Sequence, residues 1–373
     1  MPNPNNADLP PAIRTVVALA QHEAKTSDPD VKLKTEHGQG VIAMLQVFKK
    51  YLIKLRGGEA CRALEVSLEF WAPKTPTVNS SESTSLPRGA WDSHVHVVDE
   101  EAFPFPKDHP FRPKKATLSD LLEFEERLGT DHVCLVAISV YGTDNDLLLQ
   151  SLGHLNGKGR AVVAIDPETI SDQDLDDMHA LGVRGIRLNL KSTSQNKSKE
   201  ELTKTLKSYV KRIQRLKWAI QLYIGLADIE KIASEIPNLG VPVVIDHLAT
   251  PEKTSAPRLQ PGYTEFMDLL SKKQVWVKLS GVYRFAELPE LDDYVREILR
   301  VAPSQVVWAS DWPHTGGVAH NPNGDRRALQ DYRKVDVPAF IARCKEWCGE
   351  DEALVQKIFV ENPRRLWQYE DED

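Results

Sequence analysis

The stretch Trp91-Asp92-Ser93-His94-Val95-His96-Val97-Val98 decides the fold, because it is a short apolar segment in which two histidines stand at alternate positions. Alternate residues of a β-strand lie on one face, so His94 and His96 point in the same direction. Two imidazoles at the end of a buried strand are costly unless a metal, a substrate oxygen or a carboxylate uses them. An edge strand with two solvated histidines is the alternative, and three later stretches argue against it.

From residue 89 onward, short apolar segments alternate with longer amphipathic segments. Several of the short segments are nearly continuous in Val, Ile and Leu, as strands buried on both faces are. The longer segments mostly carry the apolar periodicity of helices. Eight such pairs over about 280 residues predict an α/β fold, a (β/α)8 barrel of the TIM type with its active site at the carboxyl ends of the strands. The predicted strands are Trp91–Val98, His132–Val140, Ala161–Ile165, Val183–Leu190, Trp218–Ile224, Val241–Leu248, Val275–Ser280 and Val306–Ser310.

The amino-terminal part of the chain follows a different pattern. Apolar periodicity predicts helices over residues 11–25 and 40–55, and a Pro/Ser/Thr-rich linker follows at 74–88. We therefore predict a mainly helical extension with its linker over residues 1–85 and the barrel over residues 86–373. The extension is small for an independent domain, so we expect it to pack on the barrel or on a second subunit. Its apolar second helix is the candidate surface for a homodimer.

Composition and charge exclude several classes of protein. The net charge is −7, and the sequence has no basic stripe that would suit a nucleic acid. No run approaches the ~18 apolar residues of a membrane helix, and the first residues do not resemble a secretory signal. The four cysteines lack the pattern of a metal site and are interpreted as reduced structural thiols. We therefore expect a cytoplasmic protein without nucleic-acid or membrane partners.

Polar side chains stand at the ends of the predicted strands. The sixth strand ends in Asp246-His247, where Asp246 alternates with His247 and is expected to point away from it. Asp311 follows the eighth strand directly. Any single histidine could serve packing alone, but three histidines and an aspartate at the strand ends of one barrel indicate catalysis. Asp311 among imidazoles suits a general base, because cationic neighbours favour its ionised form while burial opposes it. The remaining strand ends carry Ser139, Tyr141, Arg187, Asn189, Gln221, Tyr223 and Arg284.

These motifs resemble the amidohydrolase superfamily, and within it the amidohydrolase-2 group that includes 2-pyrone-4,6-dicarboxylate lactonases and related lactone hydrolases. The resemblance rests on the Asp-Ser-His-Val-His opening, on Asp246-His247 and on Ser310-Asp311-Trp312-Pro313-His314. It covers residues 89–370 and includes Asn362-Pro363-Arg364-Arg365-Leu366, which resembles the carboxyl-terminal motif of the group. The resemblance implies a distorted form of the barrel.

In the superfamily, the histidines of the first strand bind a divalent metal together with partners from later strands. Here the fourth strand offers Arg187 and has Lys191 only beyond its end. The fifth strand offers Tyr223 where metal-binding members have histidine, so the resemblance implies an incomplete metal set. His94, His96 and Asp311 would still form an open three-ligand zinc site. We expect catalysis that requires no cofactor, with zinc as the alternative.

The lactonases of the group imply a mechanism without metal. Asp311 would take a proton from water, and His94, His96 and His247 would polarise the lactone carbonyl and stabilise the oxyanion. Arg187 and Arg284 match positions that bind the substrate carboxylate, and a guanidinium fork suits that group. The other residues predicted to contact substrate are Ser139, Tyr141, Tyr223 and His314.

Two departures from the group affect the expected substrate. Phe111 stands where the group often has tyrosine, and the residues after the fourth strand supply no clear second arginine. These departures favour a monocarboxylated or neutral lactone over a dicarboxylate. The leading hypothesis is therefore a hydrolase that opens a lactone or cyclic ester of a small carboxylated compound derived from an aromatic or a sugar.

Two alternatives stay open. One is a zinc-dependent decarboxylase or amide hydrolase of the same superfamily. The other is a non-catalytic barrel that acts as a binding or assembly module through its amino-terminal helices. The sequence does not identify the substrate, and it leaves open whether Lys191 reaches the site.

Overall fold

The computed structural model describes residues 86–191 and 198–370, and within these ranges eight strands form a parallel sheet in chain order. Each strand pairs in parallel with the next, and the register shifts in two of these pairs give the barrel an irregular, distorted form. The predicted barrel is confirmed. The strands are β1 (Trp91–Val95), β2 (His132–Val136), β3 (Gly159–Val163), β4 (Val183–Asn189), β5 (Ala219–Tyr223), β6 (Val243–Ile245), β7 (Trp276–Leu279) and β8 (Val306–Trp308).

Helices separate the strands as the amphipathic pattern predicts. One of them, Asp146–His154 after the second strand, was not singled out by the sequence analysis. In the described part of the chain no helix combines the length and apolarity that a membrane crossing requires. The helices are α1 (Leu118–Leu128), α2 (Asp146–His154), α3 (Asp172–Leu181), α4 (Lys199–Ile213), α5 (Leu226–Ile232), α6 (Tyr263–Ser271), α7 (Leu291–Val301), α8 (Val337–Trp347), α9 (Glu352–Gln356) and α10 (Asn362–Leu366).

Local sequence fixes where several helices begin. Thr117 caps α1 in a capping box with Asp120, and Ser198 caps α4 in the same way with Glu201. In each box the cap hydroxyl accepts from the backbone N–H three residues on, and the acidic side chain accepts from the cap N–H. The predicted helices of the extension, the domain boundary and the homodimer surface involve residues 1–85, which lie outside the described residues, so they stay predictions.

The barrel closes between β1 and the segment that follows β8. The backbone N–H of His96 donates to the Trp312 carbonyl at 3.0 Å, and the N–H of Asp311 donates to the His94 carbonyl at 3.1 Å. The buried carboxylate of Asp92 also crosses this seam, because its Oδ1 accepts from the N–H groups of His94 and Ser310. Backbone pairing therefore sets the first-strand histidines against the residue that follows the last strand.

The carboxyl-terminal helix is tied to β8 by a buried amide. The side-chain nitrogen of Asn362 donates to the carbonyl of Pro303 at 2.9 Å and to that of Val306 at 2.7 Å. Buried carbonyl groups are costly to leave without a donor. The Asn362-Pro363 motif therefore anchors the carboxyl-terminal helix to the last strand of the barrel.

We predict that Asn362→Ala lowers the free energy of unfolding by about 1–3 kcal/mol, because it deprives two carbonyls of this donor. The matched control is Gln368→Ala, which removes an exposed side-chain bond to the Lys217 carbonyl. Urea unfolding of both variants measures the difference. Equal losses in the two variants would contradict the assigned role of Asn362.

Candidate active site

The four residues predicted to carry catalysis meet at the carboxyl ends of β1, β6 and β8, and all four are buried. His94 Nε2 lies 3.2 Å from His96 Nε2, and these two nitrogens lie 3.8 and 3.9 Å from Oδ1 of Asp311. His247 Nε2 lies 3.7 Å from Oδ2 of the same carboxylate. The structure therefore brings the three imidazoles together around one carboxylate.

The two oxygens of Asp311 have different surroundings. Oδ2 accepts from the Tyr283 hydroxyl at 2.7 Å and from Nε and Nη2 of Arg284 at 3.0 and 2.7 Å. Oδ1 is buried, and no donor among the described residues bonds to it. One oxygen is thus anchored, while the other faces His94 and His96 and can accept a proton.

The pKa of Asp311 lies well below its usual value. Burial alone would raise it, but the positive charge of Arg284, with further contributions from the neighbouring imidazoles of His247, His94 and His96, outweighs burial. The carboxylate is therefore ionised at neutral pH, as a general base must be. Its backbone φ of 66° lies in the left-handed region, which non-glycine residues seldom adopt outside functional sites.

Hydrogen bonding fixes the protonation of His96. Its Nδ1 lies 2.7 Å from the Val136 carbonyl, and a carbonyl only accepts, so the proton stands on Nδ1. Burial lowers the pKa of His96 to about 3, so the ring is neutral and its Nε2 carries a lone pair. This nitrogen accepts protons, so the predicted role of His96 as a donor to the oxyanion does not suit its neutral form.

His247 is held by the turn that follows β7. Its Nδ1 lies 2.8 Å from the Ser280 hydroxyl oxygen, and burial lowers the pKa of the ring to about 4. Gly281 packs closely against the His247 ring. A Cβ placed on Gly281 would lie 2.8 Å from two ring atoms of His247, so only glycine leaves room for the imidazole in this position.

Asp246 lies behind His94, where the sequence analysis gave it no role. Its Oδ1 lies 3.4 Å from His94 Nδ1, and its Oδ2 accepts from Arg187 Nε at 3.3 Å and from Gln221 Nε2 at 3.1 Å. The side chain is fully buried. Its pKa is held well below its usual value, because His94, Lys278 and Arg187 together outweigh burial. Asp246 therefore serves as a fixed counter-charge within the barrel.

The predicted substrate arginines both lie at this site. Arg187 donates from Nη1 to the Ala137 carbonyl at 3.0 Å, and its guanidinium stands 5.6 Å from the centre of the Tyr223 ring. Arg333 is a third cation that the sequence analysis missed, since it comes from an irregular segment after β8. Its guanidinium lies 5.5 Å from the Tyr283 ring, and that of Arg284 lies 5.1 Å from the same ring.

The remaining predicted contacts line the same end of the barrel with different partners. The Ser139 hydroxyl accepts from Asn189, and the Tyr141 hydroxyl accepts from the backbone of Asp99 at 2.9 Å. Tyr223 packs edge-on against His247, and His314 packs edge-on against Tyr283. His314 Nε2 is buried, and no described residue bonds to it.

Lys191 is directed to the rim of the barrel. Its amine lies 3.0 Å from Oε1 of Glu252 and 3.4 Å from the Thr250 carbonyl, both in the segment after β6. The ion pair with Glu252 engages its charge there, away from the imidazole cluster. We therefore give Lys191 no role in the chemistry of the site.

The site has a donor set that suits a divalent ion. His94, His247 and Asp311 each offer a ligand atom, and these atoms lie within 4.8 Å of one another. Two imidazole nitrogens and a carboxylate oxygen are ligands that zinc accepts, and the buried Oδ1 of Asp311 has no described donor to compete with a metal. This set of three possible ligands differs from the predicted zinc site of His94, His96 and Asp311, because His247 takes the place of His96.

Comparison with known proteins identifies the family of the chain. The profile of the amidohydrolase family designated Amidohydro_2 matches residues 91–368. The chain belongs to this amidohydrolase family. It is 29% identical over 291 residues to 4-sulfomuconolactone hydrolase of Rhizobium radiobacter, which covers 76% of this chain and 92% of that protein. It is 28% identical over 303 residues to 2-pyrone-4,6-dicarboxylate hydrolase of Comamonas testosteroni, which covers 77% of this chain and 93% of that protein.

A solved structure gives the same result. It is that of a Pseudomonas putida protein provisionally assigned as a 2-pyrone-4,6-dicarboxylic acid hydrolase. The two structures superpose with a TM-score of 0.62 at 29% sequence identity, and the match covers 77% of this chain and 100% of the other. The family resemblance and the expectation of a hydrolase are confirmed. The expected class, hydrolases that act on lactones, is the class to which the two curated relatives belong.

We predict that Gly281→Ala lowers kcat/KM about 10- to 100-fold, because the new methyl group displaces the His247 ring. Gly129→Ala is the matched control, since Gly129 is also left-handed, at φ 78°, and has no atom within 4 Å of the added Cβ. Both variants carry a similar backbone strain of about 1–2 kcal/mol. A similar loss of activity in both would remove the special role of the contact with His247.

We predict that stability falls as pH drops from about 6.5 towards 4. The pKa values of His96 and His247 are lowered from 6.5 to about 3 and about 4, so the unfolded chain binds protons in this range and the folded chain does not. Each histidine then removes about 1.4 kcal/mol per pH unit. Urea unfolding at several pH values measures this slope, and His247→Gln should reduce it. Because the raised pKa values of the buried Asp92 and Glu125 act in the opposite direction, the change of slope is decisive, and an unchanged slope in His247→Gln would contradict the prediction.

Proposed function

We propose that the protein is a hydrolase that opens a lactone of a small anionic compound with water activated at Asp311. The observation that carries the proposal is the asymmetry of this carboxylate. Oδ2 is held by Tyr283 and Arg284, while Oδ1 faces His94 and His96 without a described donor. A fixed carboxylate with one free oxygen beside imidazoles is the arrangement that a general base requires.

A water molecule beside Asp311 Oδ1 and His96 Nε2 would meet two proton acceptors 3.9 Å apart. It would donate its protons to them and direct its oxygen at the lactone carbonyl. As the water attacks, Asp311 takes a proton and the carbonyl oxygen becomes an oxyanion, which N–H groups of His94 and His247 would stabilise. Collapse of the tetrahedral intermediate breaks the ring C–O bond, and the proton returns to the leaving oxygen.

The arginines define the charge of the substrate. Arg187 and Arg284 were predicted to bind a carboxylate, and Asp311 engages only Nε and Nη2 of Arg284. Arg333 adds a third guanidinium beside Tyr283. It supplies from the segment after β8 the further arginine that the residues after the fourth strand lack, and that lack had favoured a monocarboxylated or neutral lactone. We therefore propose an anionic lactone with up to two acidic groups, in keeping with relatives named for a sulfo group and for two carboxylates.

The metal-competent group supports a second candidate function. His94, His247 and Asp311 would hold a divalent ion, which would supply a Lewis acid for the carbonyl oxygen. This donor set keeps a zinc-dependent decarboxylase or amide hydrolase as the second candidate.

We place the protein in the cytoplasm, in agreement with three buried cysteines, Cys134, Cys344 and Cys348, that carry free thiols.

We predict that Asp311→Asn lowers kcat about 100- to 10,000-fold while circular dichroism stays unchanged, because an amide cannot take the proton of water. The probes are 2-pyrone-4,6-dicarboxylate and 4-sulfomuconolactone, assayed with and without a chelator. Asp325→Asn, an exposed aspartate in the same segment after β8, is the matched control. Unchanged turnover in Asp311→Asn would reject the proposed base, and chelator-sensitive turnover would favour the zinc-dependent candidate.

A further inference from the structure

Lys278 is a fully buried lysine that the proposed reaction does not use. It lies within β7, and its amine reaches the space between β1 and β5. The Nζ atom donates to the Ser93 carbonyl at 2.8 Å and to Oε1 of Gln221 at 2.7 Å, and it lies 3.2 Å from Nδ1 of His94. Three directed contacts therefore fix the position of this buried amine.

The neighbours of Lys278 accept hydrogen bonds, which favours the ammonium form. A backbone carbonyl has no proton to give, and Gln221 is oriented by its own donation from Nε2 to Asp246, so its oxygen faces the lysine. The carboxylate of Asp246 lies 3.8 Å from Nζ and balances the charge. The Trp367 ring centre lies 5.2 Å from Nζ. The third N–H of the ammonium group is then free for His94 Nδ1.

Asp246 is the rival partner of the same nitrogen. Its Oδ1 lies 3.4 Å from His94 Nδ1, farther than the lysine, and no donor among the described residues bonds to this oxygen in hydrogen-bonding geometry. If Asp246 accepted from Nδ1, the proton of a neutral His94 would stand there, and Nε2 would carry a lone pair. If Lys278 donates to Nδ1, the proton must stand on Nε2.

We propose that Lys278 is a positioning residue that holds His94 in the tautomer with its proton on Nε2. His94 then donates to the lone pair of His96 Nε2, 3.2 Å away, in the resting enzyme. In the reaction it donates to the oxyanion, a step that rests on the proposed lactone hydrolysis. The same arrangement weakens metal binding at His94, because Nε2 must lose its proton before it can act as a ligand and the ammonium group repels a second cation.

The direct test is the ring 15N spectrum of His94 in the full-length protein without substrate. The signal is assigned by its loss in His94→Gln among the 11 histidines of the chain. We expect a proton on Nε2 and a pyridine-like Nδ1. A proton on Nδ1 overturns the proposal, and circular dichroism checks that the His94→Gln variant used for the assignment is folded. In Lys278→Met, checked by circular dichroism, the proton should move to Nδ1 and bond to Asp246.

Zinc affinity provides a second readout that does not depend on turnover. Equilibrium dialysis against zinc should show binding about 10- to 100-fold tighter in Lys278→Met than in the parent. Substitutions of residues that hydrogen-bond to a metal ligand change metal affinity by this range. Lys272→Met, which changes an exposed lysine, should bind zinc as the parent does. Equal affinity in the parent and Lys278→Met overturns the proposal. A protein with the predicted tautomer that opens no lactone would reject the proposed function alone.

Discussion

The closing seam of the barrel is the constraint on which the site depends. Two backbone hydrogen bonds, from His96 to Trp312 and from Asp311 to His94, join the first strand to the segment after the last one. Because these bonds involve the functional residues themselves, the distances between the imidazoles and the carboxylate follow from the pairing that closes the fold. The side-chain contacts of Tyr283 and Arg284 then orient a carboxylate whose backbone is already in place.

Charge balance explains how so many polar groups remain buried at one end of the barrel. Asp311 is paired with Arg284, and Asp246 lies among Arg187, His94 and Lys278. Burial keeps the histidines neutral, so their lone pairs and N–H groups are set by hydrogen bonding. Such a preorganised set of donors and acceptors is suited to stabilising charge that develops during a reaction.

The sequence predicts the strands and the histidines because both follow simple rules. Alternation places His94 and His96 on one face, and strand ends of a barrel converge on one site. The same rules gave no role to Lys278 and Asp246, since a charged residue within a strand is normally taken to face solvent or to cap a loop. Arg333 was missed because its segment has no periodicity. Contacts between distant strands decide these roles, and a single sequence does not display them.

Proton release from lactones with and without acidic groups tests the central claim most directly. We expect the purified full-length protein to open an anionic lactone, with release of acid in a pH-stat, and to discriminate strongly against its neutral analogue. That result would follow from a general base surrounded by guanidinium groups. The account would be contradicted if the protein opened none of these lactones and instead released carbon dioxide from an aromatic acid in the presence of zinc.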